Sequence, residues 1–238
     1  MERVGMKAIA REDRGLPARI AGDIGRRITL GELKVGDTLP KEADMLTTLG
    51  VSRTTLREAL KILSTKGFIE AKPRLGTRVR AAEHWNTLDP VVLSWQSDAE
   101  DQATLAEELF ELRLSIEPLA ARLAARRGSA AEHAEIRAAF ARMAEGGALV
   151  EDAIEADIAF HLNIFQSAHN RFLLPVASVI RAALSISIPK TMAATGGFGQ
   201  SLAQHEAILV AIEERDEDKA FERAAALIAS TYKRNFAS

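Results

Sequence analysis

Apolar residues recur every three to four positions along most of the 238-residue chain, and that period predicts helices almost throughout. Leu16, Ile20, Ile24 and Ile28 predict a first helix over 16–28, followed by a turn-rich bridge through Gly31, Gly36 and Pro40. A short second helix is expected over Lys41–Leu49, between a start at Pro40 and a stop at Gly50. The third begins at about Ser52, which can cap it. It carries Leu56, Ala59, Leu60 and Leu63 on one side, with Arg53, Thr54, Thr55, Arg57 and Lys61 left as a polar, cationic remainder. The period then changes. Gly67–Ala71 and Gly76–Val79 are short extended runs joined through Lys72-Pro73-Arg74-Leu75, a hairpin with a basic tip.

Residues 81–100 are irregular at Asn86–Pro90 and then apolar through Val91, Val92, Leu93 and Trp95. Two tryptophans, Trp85 and Trp95, argue against a bare tether, so this connector is expected to pack against the body that follows. From residue 101 the pattern predicts helices over 102–127, 131–145, 149–167, 170–188, 200–214 and 217–233. The breaks fall at Gly128-Ser129, Gly146-Gly147, His169-Asn170, Pro189 and Gly196–Gly199, and Pro118 and Pro175 should kink or divide their helices. The fold class read from this is mainly α: a winged helix-turn-helix over 14–80 with a small β wing, a connector over 81–100, and an antiparallel bundle of six or seven helices over 101–236.

Charge sharpens the division. The chain as a whole carries −2, but residues 1–80 hold 17 lysines and arginines against 10 acids, whereas 81–238 hold 14 against 23. A basic head on an acidic body suits a DNA-binding module joined to a partner domain that repels phosphate. In such a head the third helix enters the major groove and the wing reaches phosphates or the neighbouring minor groove. No cysteine, cationic leader or membrane-length apolar run is present, so a cytoplasmic protein without membrane attachment is expected.

Within the body, Asp157 and His161 lie four apart and share a helix face, and His205 can add a second imidazole from another helix. Such a set suits Zn, Ni, Mn or Fe, with coordination positions left for water or an organic acid. A plain Asp–His ion pair beside an unrelated core histidine is the alternative. Arg113, among Leu112, Leu114 and Ile116, either snorkels, pairs with Glu111 or Glu117, or points inward to clamp a carboxylate. His84, His133 and His169 read as surface or capping residues. No nucleotide loop, serine elbow or HExxH occurs, so catalysis has little support, although an Asp/His/His metal centre leaves a sugar-acid-processing enzyme as the alternative.

The stretches LPKEADMLTTLGVSRTTLREALKILSTKGFIEAKPRLGTRV, ELRLSIEP, ADIAFHLNIFQSAHN and QHEAILVAI resemble the GntR family of transcriptional regulators, in its fatty-acid-regulator-like branch with an all-helical FCD domain. The resemblance spans roughly 14–236. WNTLDPVVLSW and the tail HEAILVAIEERDEDKAFERAAALIAST are most similar to members that answer to D-galactonate, while related members answer to lactate, gluconate, glucarate and uronates. It implies a homodimeric repressor on a palindromic operator, released by a sugar acid. By position it implies operator contacts from Ser52, Arg53, Thr54, Thr55, Arg57 and Gly76, and an effector site of Arg113, Asp157, His161 and His205, the last three also binding the metal. Two departures stand out. Many members carry a further histidine on the last helix, where Leu227–Ser230 supplies none, and where some relatives read Pro-Ala-Glu-Arg this chain reads Pro40-Lys41-Glu42-Ala43.

Overall fold

The computed structural model describes residues 15–96, 102–145, 150–195 and 199–236. The expected breaks at Gly146-Gly147 and Gly196–Phe198, and the end of the connector from 97, lie outside the described residues. The chain divides into two compact units, Met1–Gln102 and Ala103–Ser238.

The first unit is built on α1 (Leu16–Thr29), α2 (Glu42–Leu49) and α3 (Arg53–Thr65). Ile20, Ile24, Leu56 and Leu63 are buried at the centre of its core. At about 1.5–3 kcal/mol for each side chain taken fully out of water, such burial holds helices too short to persist alone. The wing follows as the hairpin β1 (Ile69–Lys72) and β2 (Gly76–Val79), antiparallel, with Ile69 opposite Val79 and Lys72 opposite Gly76. The bridge between α1 and α2 adds a partial third strand. Leu39 donates its N–H to Thr77 O at 2.8 Å, Val79 to Asp37 O at 2.9 Å, and the Arg78 guanidinium donates twice to Gly36 O, at 3.0 and 2.7 Å. The wing is therefore fastened to the helices by its own base.

The connector corrects one expectation. The sequence pointed it at the body, but Pro90–Gln96 forms α4, and its Val92 and Trp95 belong to the core of the first unit. Gly22 and Gly25 on α1 leave the space that decides this: a Cβ at Gly25 would lie 2.3 Å from the Trp95 ring. Phe68 stacks on Trp85 (centroids 4.4 Å) and meets Trp95 edge-on (5.2 Å). Lys66 pairs with Asp89 at 2.5 Å and lies over Trp95.

The second unit contains six helices among the described residues: α5 (Gln102–Arg127), α6 (Ala130–Glu145), α7 (Val150–Ser167), α8 (Leu174–Thr195), α9 (Gly199–Glu213) and α10 (Glu217–Phe236). Its core draws on every one of them, with alanines 120, 121, 124 and 125 of α5 letting the helices approach closely. Pro118 lies within α5, which continues through it. Pro175 falls in the first turn of α8, where the missing N–H would have no partner in any case, so the helix starts at Leu174. Pro189 does not end α8, which runs on to Thr195. The proline forfeits one hydrogen bond, and the good helix formers Met192, Ala193 and Ala194 carry the turn beyond it.

Gly25→Ala tests the connector's seat. In an open helix this change stabilises by about 0.8–1 kcal/mol, but here the methyl must displace Trp95, and overpacking costs about 1–3 kcal/mol. A lower denaturation midpoint is expected, and a raised one would show that Trp95 is not seated on α1.

Candidate functional site

On the first unit, Ser52 caps α3 as read from the sequence, its Oγ accepting the Thr55 N–H at 3.1 Å and lying 2.8 Å from Thr55 Oγ1. Leu56, Ala59 and Leu63 face the core with Leu60 half-buried, so Arg53, Thr54 and Arg57 face solvent on the side facing away from the core. The two arginine side chains are 69% and 65% exposed, and both bring Nε to one acceptor, Glu42 Oε1, at 3.4 and 3.2 Å. Sequence reading placed Glu42 only as a neighbour of the Ala43 departure. Its spacing from the arginines, across a turn, gives no periodic signal. Gly76 opens β2 with φ +86°, a conformation that favours glycine, and is exposed on the wing.

In the second unit the structure brings together Arg113 (α5), Asp157 and His161 (α7) and His205 (α9), and adds Glu117 (α5) and Ser187 (α8). All six are buried, Arg113 to 4% and Asp157 to 5% exposure. They form one chain of contacts. Arg113 donates from Nε to Glu117 Oε1 at 2.6 Å and from Nη1 to Ser187 Oγ at 3.3 Å. Glu117 Oε2 lies 2.7 Å from His161 Nδ1. Asp157 Oδ1 then stands 3.2 Å from both His161 Nε2 and His205 Nε2. The sequence alternatives for Arg113 are thus resolved inward, onto Glu117. Glu117 itself was legible only as an i,i+4 partner of Arg113, because its second contact reaches a helix 44 positions further along.

Each charge shifts its neighbours. Burial pushes the Glu117 carboxyl up, and Arg113 and then His161 outweigh it, holding it at about 2. Burial likewise raises the Asp157 carboxyl, and the two imidazoles, His205 first, hold it well below the usual range. For His161 burial lowers the pKa, and Glu117 and Asp157 raise it to about 9.

The remaining histidines separate from this cluster. His133 is buried, with Nε2 3.1 Å from the Ala124 carbonyl, and so caps the end of α5. His169 pairs with Glu132 at the surface and His84 is exposed beside Glu83.

Asp157, His161 and His205 present one ligand atom each within 4.8 Å of one another. The fit to a cation is better than to a plain ion pair for two reasons. Asp157 Oδ1 and His205 Nε2 are buried and neither makes an aligned hydrogen bond, although they face each other. The opposite ring nitrogens are occupied: His205 Nδ1–H donates to Ser201 O at 2.8 Å, and His161 Nδ1 faces the Glu117 carboxylate. Each ring thereby presents Nε2 toward Asp157, the arrangement that orients imidazole ligands of metals, and a cation there would take the place of the second proton that Glu117 and Asp157 hold on His161. Three donors, one anionic and two nitrogen, suit a divalent transition metal with positions left for oxygen ligands. On the far side of Glu117 and His161 a small cavity of about 10 Å³ reaches Leu227 and Ile228 of α10, where no further ligand is supplied.

Residues 16–79 match the bacterial regulatory proteins of the GntR family, and residues 108–230 match the FCD domain. The chain belongs to the GntR family of transcriptional regulators. As a GntR member with an FCD domain it is a DNA-binding regulator and not an enzyme. It is 35% identical over 216 residues to the uncharacterized HTH-type transcriptional regulator YieP of Escherichia coli K12, covering 89% of this chain and 91% of that one. It is 32% identical over 217 residues to the galactonate operon transcriptional repressor of the same organism, covering 91% and 95%. Among solved structures, one of Lar, which controls the expression of the Listeria monocytogenes agr system, superposes with a TM-score of 0.63 at 16% identity, covering 95% and 99%, and so shares the fold. No helix among the described residues is long and apolar enough to cross a membrane.

Metal addition tests the buried site. Ni²⁺, Mn²⁺ or Zn²⁺ at a hundred times its Kd should stabilise the folded chain by about 2.7 kcal/mol, a rise of roughly 5–10 °C in melting temperature. Asp157→Asn should abolish the rise. An equal rise in the variant would move the ion elsewhere.

Proposed function

We propose that this GntR regulator is a homodimeric repressor of sugar-acid catabolism, bound to a palindromic operator and released by D-galactonate or a related aldonate. The observation that carries this reading is the buried chain from Arg113 to His205, which joins a carboxylate-binding guanidinium to a metal-ligand set inside one apolar bundle. Asp157, His161 and His205 would hold a divalent cation, whose chemistry here is to accept a carboxylate and a hydroxyl oxygen of the effector as ligands.

Charge balance favours a monoanion. Buried charges are costly unless compensated. With both imidazoles neutral, as metal ligands must be, Arg113 against Glu117 and Asp157 leaves the site one negative charge in excess. A divalent cation with neutral histidines turns that into one positive charge in excess, which a single carboxylate neutralises. A dicarboxylate such as glucarate would overshoot. Likeness to the galactonate operon repressor supports an aldonate, and 29% identity over 216 residues to a putative L-lactate dehydrogenase operon regulatory protein of Escherichia coli keeps a smaller hydroxy acid in the test panel.

On the operator, Arg53 and Arg57 read base edges, the expected mode being bidentate contact with guanine. Ser52, Thr54 and Thr55 at the start of α3 hold phosphate, with Gly76 letting the wing come close to the groove. Two such helices in a dimer would meet half-sites one helical turn apart. Effector binding and operator binding oppose each other through one coupling energy, and a hundredfold release needs only about 2.7 kcal/mol.

Fluorescence polarisation with DNA from the chain's own upstream region tests this directly. D-galactonate in the presence of metal should release the duplex, ahead of gluconate, glucarate, uronates and lactate. Binding that no acid of the panel weakens would remove the sugar-acid reading and leave the family assignment. Arg57→Ala should weaken operator binding about 10- to 100-fold, the equivalent of about 1–3 kcal/mol for a lost bidentate base contact. Arg113→Lys keeps a charge beside Glu117 but not the planar fork; operator binding should persist while release needs about tenfold more acid. Release at unchanged acid concentration would take Arg113 out of the pocket.

A further inference from the structure

The two exposed arginines of α3 do not point outward independently. Arg53 and Arg57 sit four apart on one helix face, and Glu42, from the first turn of α2, places a single oxygen against the Nε of each. Those contacts use the inner edge of each guanidinium. The outer edge, with its paired N–H groups, is the one that matches guanine O6 and N7. Glu42 is 37% exposed and both arginines more so, and ion pairs this exposed add little to folding stability. Its charge is also of the wrong sign for a surface that meets phosphate. An acid in the first turn of α2 suits that helix's dipole, but this alone does not require it to stand between the only two arginines of α3.

We propose that Glu42 is a positioning residue for operator recognition: it holds Arg53 and Arg57 in a fixed fork before DNA arrives, trading non-specific attraction for discrimination. This rests on the reading of Arg53 and Arg57 as base contacts. Two long side chains fixed in advance lose less rotamer freedom on binding, so the gain appears only where the fixed geometry meets the right bases. On any other sequence the same carboxylate only repels phosphate. Glu42 should therefore act with opposite sign on cognate and non-cognate DNA, which neither a structural role nor a plain charge effect produces.

The test uses the full-length protein and two probes: the duplex that the wild-type chain enriches from a random-sequence pool, and a shuffled duplex of equal length and composition. Glu42→Gln and Glu42→Ala are titrated against both, with thermal melting recorded for each variant. The expected result is binding to the enriched duplex about tenfold weaker, binding to the shuffled duplex equal or several-fold tighter, an unchanged melting temperature, and a flattened guanine preference when the enrichment is repeated with Glu42→Gln. Equal tightening on both duplexes would reduce Glu42 to a repelling charge. Unchanged affinities, or a lowered melting temperature with both affinities lost, would equally overturn the proposal. Were the wild-type chain to enrich no sequence, the regulator reading would fail together with it; retained discrimination in the variants refutes the positioning role alone.

Discussion

The second unit is organised around a constraint that apolar packing cannot relax: five ionisable side chains are buried together and must neutralise one another. Arg113, Glu117, His161, Asp157 and His205 lie in one line across α5, α7 and α9, each within 3.2 Å of the next. Around them the bundle is alanine, isoleucine, leucine and phenylalanine, with Phe160 edge-on to both imidazoles. Removing Arg113 or Glu117 strips a buried charge of a partner, which costs about 3–5 kcal/mol. Such a line is poor as a stabiliser relative to apolar packing. Its burial fits a site that binds something charged.

A shared device runs through both units. In each, one carboxylate stands against two cationic or nitrogen-bearing groups. Glu117 stands between Arg113 and His161 in the bundle, and Glu42 stands between Arg53 and Arg57 on the head. The environments differ, and so do the consequences. Buried Glu117 is held ionised by its partners and sets the ring of a prospective metal ligand. Half-exposed Glu42 contributes little to folding energy, and the role proposed for it is one of geometry.

What was legible in the sequence was local. The period of Leu56, Ala59 and Leu63 predicted the buried face of α3, and Ser52 its cap, because both are set within one or two turns. Asp157 and His161 were legible for the same reason, being four apart on α7. The third member, His205, was proposed across 44 residues and lies 3.2 Å from Asp157. The roles of Glu117 and Glu42 were not legible, since each depends on contacts between separate helices. The connector's seat is not legible in the same way, because two tryptophans announce burial without saying against what; Gly22 and Gly25, three apart on α1, are the signal that a wide ring needs room there. Pro189 reads as a stop because proline costs one hydrogen bond, a cost that α8 absorbs by running on to Thr195.

In the proposed switch, a small acid at the buried site and DNA at the exposed helix compete through one linked equilibrium. Calorimetric titration of D-galactonate, with metal present, into the free protein and into protein saturated with its enriched duplex measures that competition. Linkage requires the acid to bind the DNA-saturated protein more weakly, by the same factor by which the acid weakens DNA binding. Equal acid affinity in the two titrations would contradict it, because two sites that do not sense each other cannot form a switch.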